Sequence, residues 1–219
     1  MSPALHRART QDQKHFRRQQ ILDAAKMHFE DVGYESFSMA NLAKLAGVAK
    51  GTLYLYFATR EEVFLALYAQ ALLRWSDVFI NRLHTQMSDH DYCQTLHNSA
   101  MEDDGFVPLL VRLEHMIEHN VSFEHLIQTK RLFAARIKLI AQASAPVLSL
   151  TLAQATELVK AMGVLLIGVS GADQGPSLQD EIVPEDVQNF IDSFASENIF
   201  VTNACFIING IRTATTPNS

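Results

Sequence analysis

Residues 38–57 read SMANLAKLAGVAKGTLYLYF, two short helices separated by one tight turn. The Ser38 hydroxyl is placed to accept a hydrogen bond from a free amide of the first helical turn. Met39, Leu42, Ala43 and Ala46 recur at helical spacing and form one apolar stripe. Gly47 supplies the positive φ of a sharp turn, and Val48 plugs the angle between the helices. The second helix, residues 50–56, turns Leu53 inward, as does Phe57 just after it. Lys50, Thr52, Tyr54 and Leu55 lie on its other face. A helix this short needs support from its neighbours. The pattern is a helix-turn-helix.

Individual residues of the second helix carry further signals. Lys50 opposes the helix dipole at a helix start, and a nearby phosphate reverses that penalty. Gly51 costs about 0.5–1 kcal/mol relative to Ala inside a helix, which close approach of the backbone to a nucleic acid explains. Thr52 offers a hydroxyl or a methyl to a base edge. Tyr54 and Tyr56, two positions apart, cannot share a face, so one packs while the other reaches outward.

Upstream, Ile21, Leu22, Ala25, Phe29 and Val32 keep a helical period that Gly33 stops, and Tyr34 and Phe37 fold back as core. Arg17 and Arg18 open this helix, either as phosphate contacts or as solvated residues. Residues 1–14 show no apolar period and are expected to form a flexible arm. Downstream, Thr59-Arg60-Glu61-Glu62 is a capping box. It leads into the stripe Val63, Phe64, Leu67, Ala71, Trp75 and Phe79, in a helix expected to end near residues 87–88. Further helices are expected over 92–100, 106–118, 121–141, 146–169 and 184–209, with Pro146 and Pro184 as helix starts. The fold class is therefore all-α, about nine helices. It divides into an arm (1–14), a DNA-binding head (15–62) and a helical effector-binding and dimerisation body (63–219).

The net charge of -6 conceals an asymmetry. Residues 1–60 hold nine Lys or Arg against five acids, and the remaining residues hold nine against nineteen. A basic head on an acidic body presents one end to a polyanion. Cys93 and Cys205 are far apart in sequence and make no CxxC, so they read as small buried residues of a reducing, cytoplasmic compartment. The most apolar late window, residues 161–171, is too short to cross a bilayer, and no membrane partner is expected. GxSxG, P-loop and Rossmann fingerprints are missing, which argues against an enzyme.

With ILDAAKMHFEDVGYESFSMANLAKLAGVA ahead of KGTLYLYF and ATREEVFLALY behind it, residues 17–68 closely resemble the DNA-binding domain of the TetR family of bacterial transcriptional regulators. The resemblance implies an all-α homodimer whose head reads a palindromic operator and whose last two long helices pair across the two-fold axis. It also implies a body cavity for a small apolar or amphipathic effector that releases a repressor from DNA. No cofactor or metal is implied. Carried over by position, Lys50, Thr52, Tyr54 and Leu55 face DNA, while Ser38, Tyr56 and Arg60 face phosphates. Two positions depart from the family. Ala49 replaces a common Ser, so the recognition helix lacks a side-chain cap, and Leu55 replaces a common Tyr or His, leaving only apolar contact such as a thymine methyl. The competing reading is a helical interaction protein or small-molecule carrier.

In the body, Trp75, Phe79, Phe106, Leu110, Leu113, Phe123, Ile127 and Phe133 are candidates for an effector cavity, with core packing as the alternative. His115 and His119, four apart, suit polar lining better than metal binding, since no third fixed ligand accompanies them. Leu158, Met162, Leu165 and Leu166, followed by Val187, Ile191 and Phe194, supply more apolar surface than outer helices expose alone. They are expected to dimerise.

Overall fold

The turn chemistry is local and holds. Ser38 Oγ accepts from Asn41 N at 3.2 Å, and Gly47 and Gly33 adopt φ of 63° and 70°. The computed structural model describes residues 3–113, 118–172 and 183–214, residues 3–10 and 118 by backbone alone. Among the described residues there are ten α-helices and no strand. They are α1 (Pro3–Ser36), α2 (Met39–Leu45), α3 (Lys50–Tyr54), α4 (Arg60–Arg82), α5 (Asp89–Met101), α6 (Phe106–Arg112), α7 (Phe123–Leu148), α8 (Leu152–Val169), α9 (Glu185–Ser193) and α10 (Ser196–Thr213). A single 3-10 turn, Glu118–Asn120, precedes α7.

The chain forms two compact units, Met1–Gln70 with Arg112–Thr129, and Ala71–Val111 with Lys130–Ser219. The division between these units falls at residues 70/71, within α4, and a stretch from the middle of the chain belongs to the head unit. In that unit Ile21, Leu22, Ala25, Leu42, Leu53, Phe57 and Val63 are buried. Phe29, Tyr34 and Phe37 surround Phe64 with ring centroids 4.6–5.4 Å away. The two short helices α2 and α3 bury Leu42, Ala43 and Leu53 in this unit, since neither is long enough to persist alone.

In the second unit Trp75 stacks on Phe106 at 4.4 Å and on Phe79 at 5.8 Å. The Trp75 indole N–H donates to Ser99 Oγ at 3.1 Å. Tyr92, fully buried on α5, shares a 2.8 Å hydrogen bond with Ser144 of α7. α10 packs along α5 and α8.

Several boundaries differ from expectation. α1 begins at Pro3, ahead of the helix start expected at Arg17, so residues 3–14 have a helical backbone. Ala, Leu, Arg, Gln and Lys there favour a helix without needing an apolar face. Pro146 lies inside α7 and does not start α8. The break comes at Ser149, with φ of 54° and Leu150 N donating to Ala145 O at 2.9 Å, a Schellman-type end. Thr151 and Gln154 then form the capping box of α8. The helix expected over 184–209 is two helices, parted at Phe194–Ala195. α4 stops at Arg82, and Ser88 instead caps α5 in a box with Asp91.

At 18 residues α8 is longer than its apolar window suggested. It and α4 are each long and apolar enough by composition to cross a bilayer. In α4 that apolarity is accounted for by core burial of Val63, Phe64, Leu67, Ala71, Trp75 and Phe79.

Candidate nucleic-acid interface

The outward face of α3 is free of intramolecular cover. Lys50, Gly51, Tyr54 and Leu55 are exposed, Thr52 and Tyr56 half-buried, and Leu53 and Phe57 buried. Leu55 is 85% exposed, an apolar side chain with no fold-internal reason for its type. A Cβ built on Gly51 meets nothing within 4 Å, so the fold itself does not require glycine there. Ala49 gives α3 no side-chain cap, and Leu53 N bonds back to Ala49 O at 3.1 Å. The two tyrosines separate as their spacing demands, Tyr54 outward and Tyr56 half-sunk.

The cations around this face differ in freedom. Lys44 and Arg17 are exposed. Arg18 instead lays its guanidinium over the Phe57 ring, 5.0 Å from the centroid. Burial there lowers its pKa from the ordinary value. Arg60 sits 4.7 Å over the Tyr34 ring, donates to the Tyr34 carbonyl at 3.5 Å and pairs with Glu61 at 3.3 Å. The side chain expected to reach a phosphate is therefore clamped within the head. Ser38 spends its acceptor on the α2 cap, which leaves its O–H as the donor facing outward chemistry.

A second set of contacts was invisible in the capping box that announced it. Thr59 Oγ1 accepts from Glu62 N at 3.1 Å and donates to Asn120 O at 2.9 Å. Glu62, 7% exposed, accepts from Ala58 N at 2.8 Å and from Ser122 N at 3.5 Å, and lies 3.0 Å from His125 Nδ1. Burial alone raises this carboxyl's pKa, but the bonds from His125, Ala58 and Ser122 outweigh it, and the net shift is downward. The first turn of α4 is thus tied to a segment some sixty residues away, within the same unit.

The effector candidates are divided between the two units. Trp75, Phe79 and Phe106 are buried and stacked on one another, and Leu110 and Phe133 are half-buried in the same unit. Leu113, His119, Phe123 and Ile127 belong to the head unit. Phe123 is 77% exposed and lines no cavity there, because the helical start of α7 turns it to solvent. His115 lies outside the described residues.

The dimer candidates need correction. Leu158, Met162 and Leu166 are at most 1% exposed and face the protein's own core. An α8 apolar on most sides hides which stripe turns inward, and packing along α10 takes that one. Leu165 is half-buried. The exposed large apolar residues of α8 are Leu152, Val164 and Ile167, and Phe206 is exposed on α10. Val187, Ile191 and Phe194 are exposed, together with Phe190.

Comparison with known proteins gives a consistent picture. Residues 21–67 match the family model described as bacterial regulatory proteins, tetR family, and residues 69–215 match the tetracyclin repressor-like C-terminal domain. The fatty acid metabolism regulator protein of Bacillus subtilis (strain 168) is 34% identical over 109 residues, covering 47% of this chain and 54% of that protein. The repressor AcnR of Corynebacterium glutamicum is 26% identical over 97 residues, covering 44% and 47%. The chain thus spans about half the length of these relatives. Among solved structures, the multidrug binding protein EbrR complexed with imidazole is similar with a TM-score of 0.55, 17% identity, and coverage of 93% of this chain and 97% of that one. The fatty acid degradation regulator FadR from Bacillus halodurans follows at 0.53, 17%, 89% and 95%. Both share the fold.

Proposed function

Since this chain belongs to the tetR family of bacterial regulatory proteins, whose members are DNA-binding transcriptional regulators and not enzymes, we propose that it is a cytoplasmic homodimeric repressor of a palindromic operator. The observation that carries this reading is the uncovered face of α3, where Lys50, Tyr54 and Leu55 flank an open Gly51. Lys50 supplies charge to a phosphate, Tyr54 a phenol to the backbone, and Thr52 a hydroxyl or methyl to a base edge. Leu55 packs on a thymine methyl, and Gly51 lets the helix approach closely. Arg17 adds a phosphate contact. Arg60 contributes one only on leaving Tyr34 and Glu61.

The dimer uses Val164 and Ile167 of α8 and Phe206 of α10, apolar side chains that the single chain leaves in water. Two heads related by a two-fold axis read half-sites about one helical turn apart or a multiple of it. A small apolar or amphipathic effector in the Ala71–Ser219 body favours an arrangement in which the heads are wrongly spaced, and so releases the operator. The fatty-acid names of two similar proteins support an effector with an apolar chain.

Selection of duplexes from a random pool with the purified protein tests the reading. The expected product is a palindromic site bound with steep salt dependence, as phosphate neutralisation demands. Recovery of no preferred site, with binding insensitive to salt, favours the competing carrier or interaction protein.

A further inference from the structure

Cys93 and Cys205, 112 positions apart, lie side by side where α5 meets α10, with their sulfurs 3.9 Å apart. Both are free thiols, Cys93 fully buried and Cys205 half-buried. The register is clamped on both sides of the pair. Arg212 holds Asp89 through two bonds of 2.8 Å on one side. On the other, Gln94 donates to Glu197 at 2.8 Å, and His97 Nε2 lies 3.2 Å from Ser196 Oγ. These antiparallel ties hold the two helices at one spacing. The sulfurs are in van der Waals contact and must approach by about 2 Å to bond, a distance within reach of side-chain rotation.

We propose that Cys93 and Cys205 form an oxidant-responsive dithiol that closes to an intramolecular disulfide joining α5 to α10. The oxidant class is a hydroperoxide. Cys205, the accessible thiol, attacks the peroxide oxygen; an S–O bond forms, the O–O bond breaks, and the other oxygen leaves as an alcohol or water with the thiol proton. Cys93 then attacks the sulfenic sulfur. The S–S bond forms, the S–O bond breaks, and the hydroxyl leaves as water with the Cys93 proton. Two thiols lose two electrons and two protons, and the peroxide is reduced. Burial pushes the Cys93 thiol well up, with Cys205 and Asp89 adding to it. Cys205, the more accessible of the two, is the point of attack. The inference concerns only the unit of Ala71–Val111 and Lys130–Ser219 and stands independently of whether the head binds duplex.

The test treats the reduced full-length protein with hydrogen peroxide, unfolds it, alkylates it with iodoacetamide and maps its peptides without reductant. Two alkylated cysteines are expected before oxidation and none after, with a Cys93–Cys205 linked peptide in a single chain that dithiothreitol restores. Cys205→Ser should abolish the linked peptide and leave Cys93 alkylatable. Cys93→Ala, suited to a site where cysteine acts as a small apolar residue, should leave a sulfenic Cys205 trapped by dimedone. Two alkylatable thiols after treatment, a Cys205 oxidised only to sulfinic or sulfonic acid, or a bridge only between two chains each overturns the proposal.

Discussion

α3 and α8 both leave apolar side chains in water, and the company those side chains keep differs. At α3, Leu55 caps the C-terminus of a five-residue helix that carries Lys50, Thr52 and Tyr54, in the basic part of the chain. On α8, Val164 and Ile167 form a stripe on an 18-residue helix, and Phe206 is exposed on α10, a second helix packed against it. An isolated apolar side chain in a polar, cationic setting suits a groove whose bases carry both methyls and acceptors. A stripe spanning two packed helices suits a second copy of itself. The two exposures therefore point to different partners, although surface area alone does not tell them apart.

The sharpest way to break this comparison is to place a charge on each side of α8. Val164→Asp should convert the dimer to a monomer, an effect of about 3–5 kcal/mol if the carboxylate is buried unpaired, with helicity by circular dichroism unchanged. Met162→Asp, two positions away and directed into the core, should instead unfold the chain. A Val164→Asp protein that remains dimeric by light scattering would show that the outward stripe is no interface.

On α3, Tyr54→Ala should weaken operator binding about tenfold or more, with dimer mass and melting temperature preserved. Unchanged affinity in a filter-binding titration rejects that contact.

The Glu62 ties sharpen the head from another side. The folded carboxyl titrates below its unfolded value, so its contribution is present above the ordinary carboxylate range and is lost as pH falls through the folded pKa. Glu62→Gln keeps the shape and removes the charge, and should cost on the order of 1 kcal/mol at neutral pH. Denaturant melts should show that difference shrinking on acidification; a gap constant with pH assigns it to packing alone.

The smallest expected change in stability is the most discriminating. Gly51→Ala should stabilise the fold by about 0.5–1 kcal/mol, because the added methyl meets open space. It should nevertheless weaken duplex binding. A variant both more stable and equally tight shows that no close backbone approach occurs at Gly51.

What was legible beforehand lay close together in the chain. The Ser38 cap, the Gly33 and Gly47 turns, and the Thr59–Glu62 bond each involve residues within a few positions. Their chemistry is decided before any tertiary packing. Pro146 is the stronger local signal for a helix start, yet the weaker signal at Ser149–Thr151 governs. Pro146 sits in the last turn of α7, and Ser149 with the Thr151 box supplies the true break. The inward stripe of α8 was not legible, because Leu158, Met162 and Leu166 differ little in type from Val164 and Ile167.

The sequence alone determined the kind of molecule: an all-helical chain with a helix-turn-helix head, since periodicity, caps and glycines act over a few residues. Tertiary structure alone decided which of α8's apolar faces is spent on the core, that Arg60 is held by Tyr34 and Glu61, and that Glu62 meets His125. It also decided that Cys93 meets Cys205. Those outcomes depend on contacts between residues far apart in the chain, and residue type does not encode which distant partner is met.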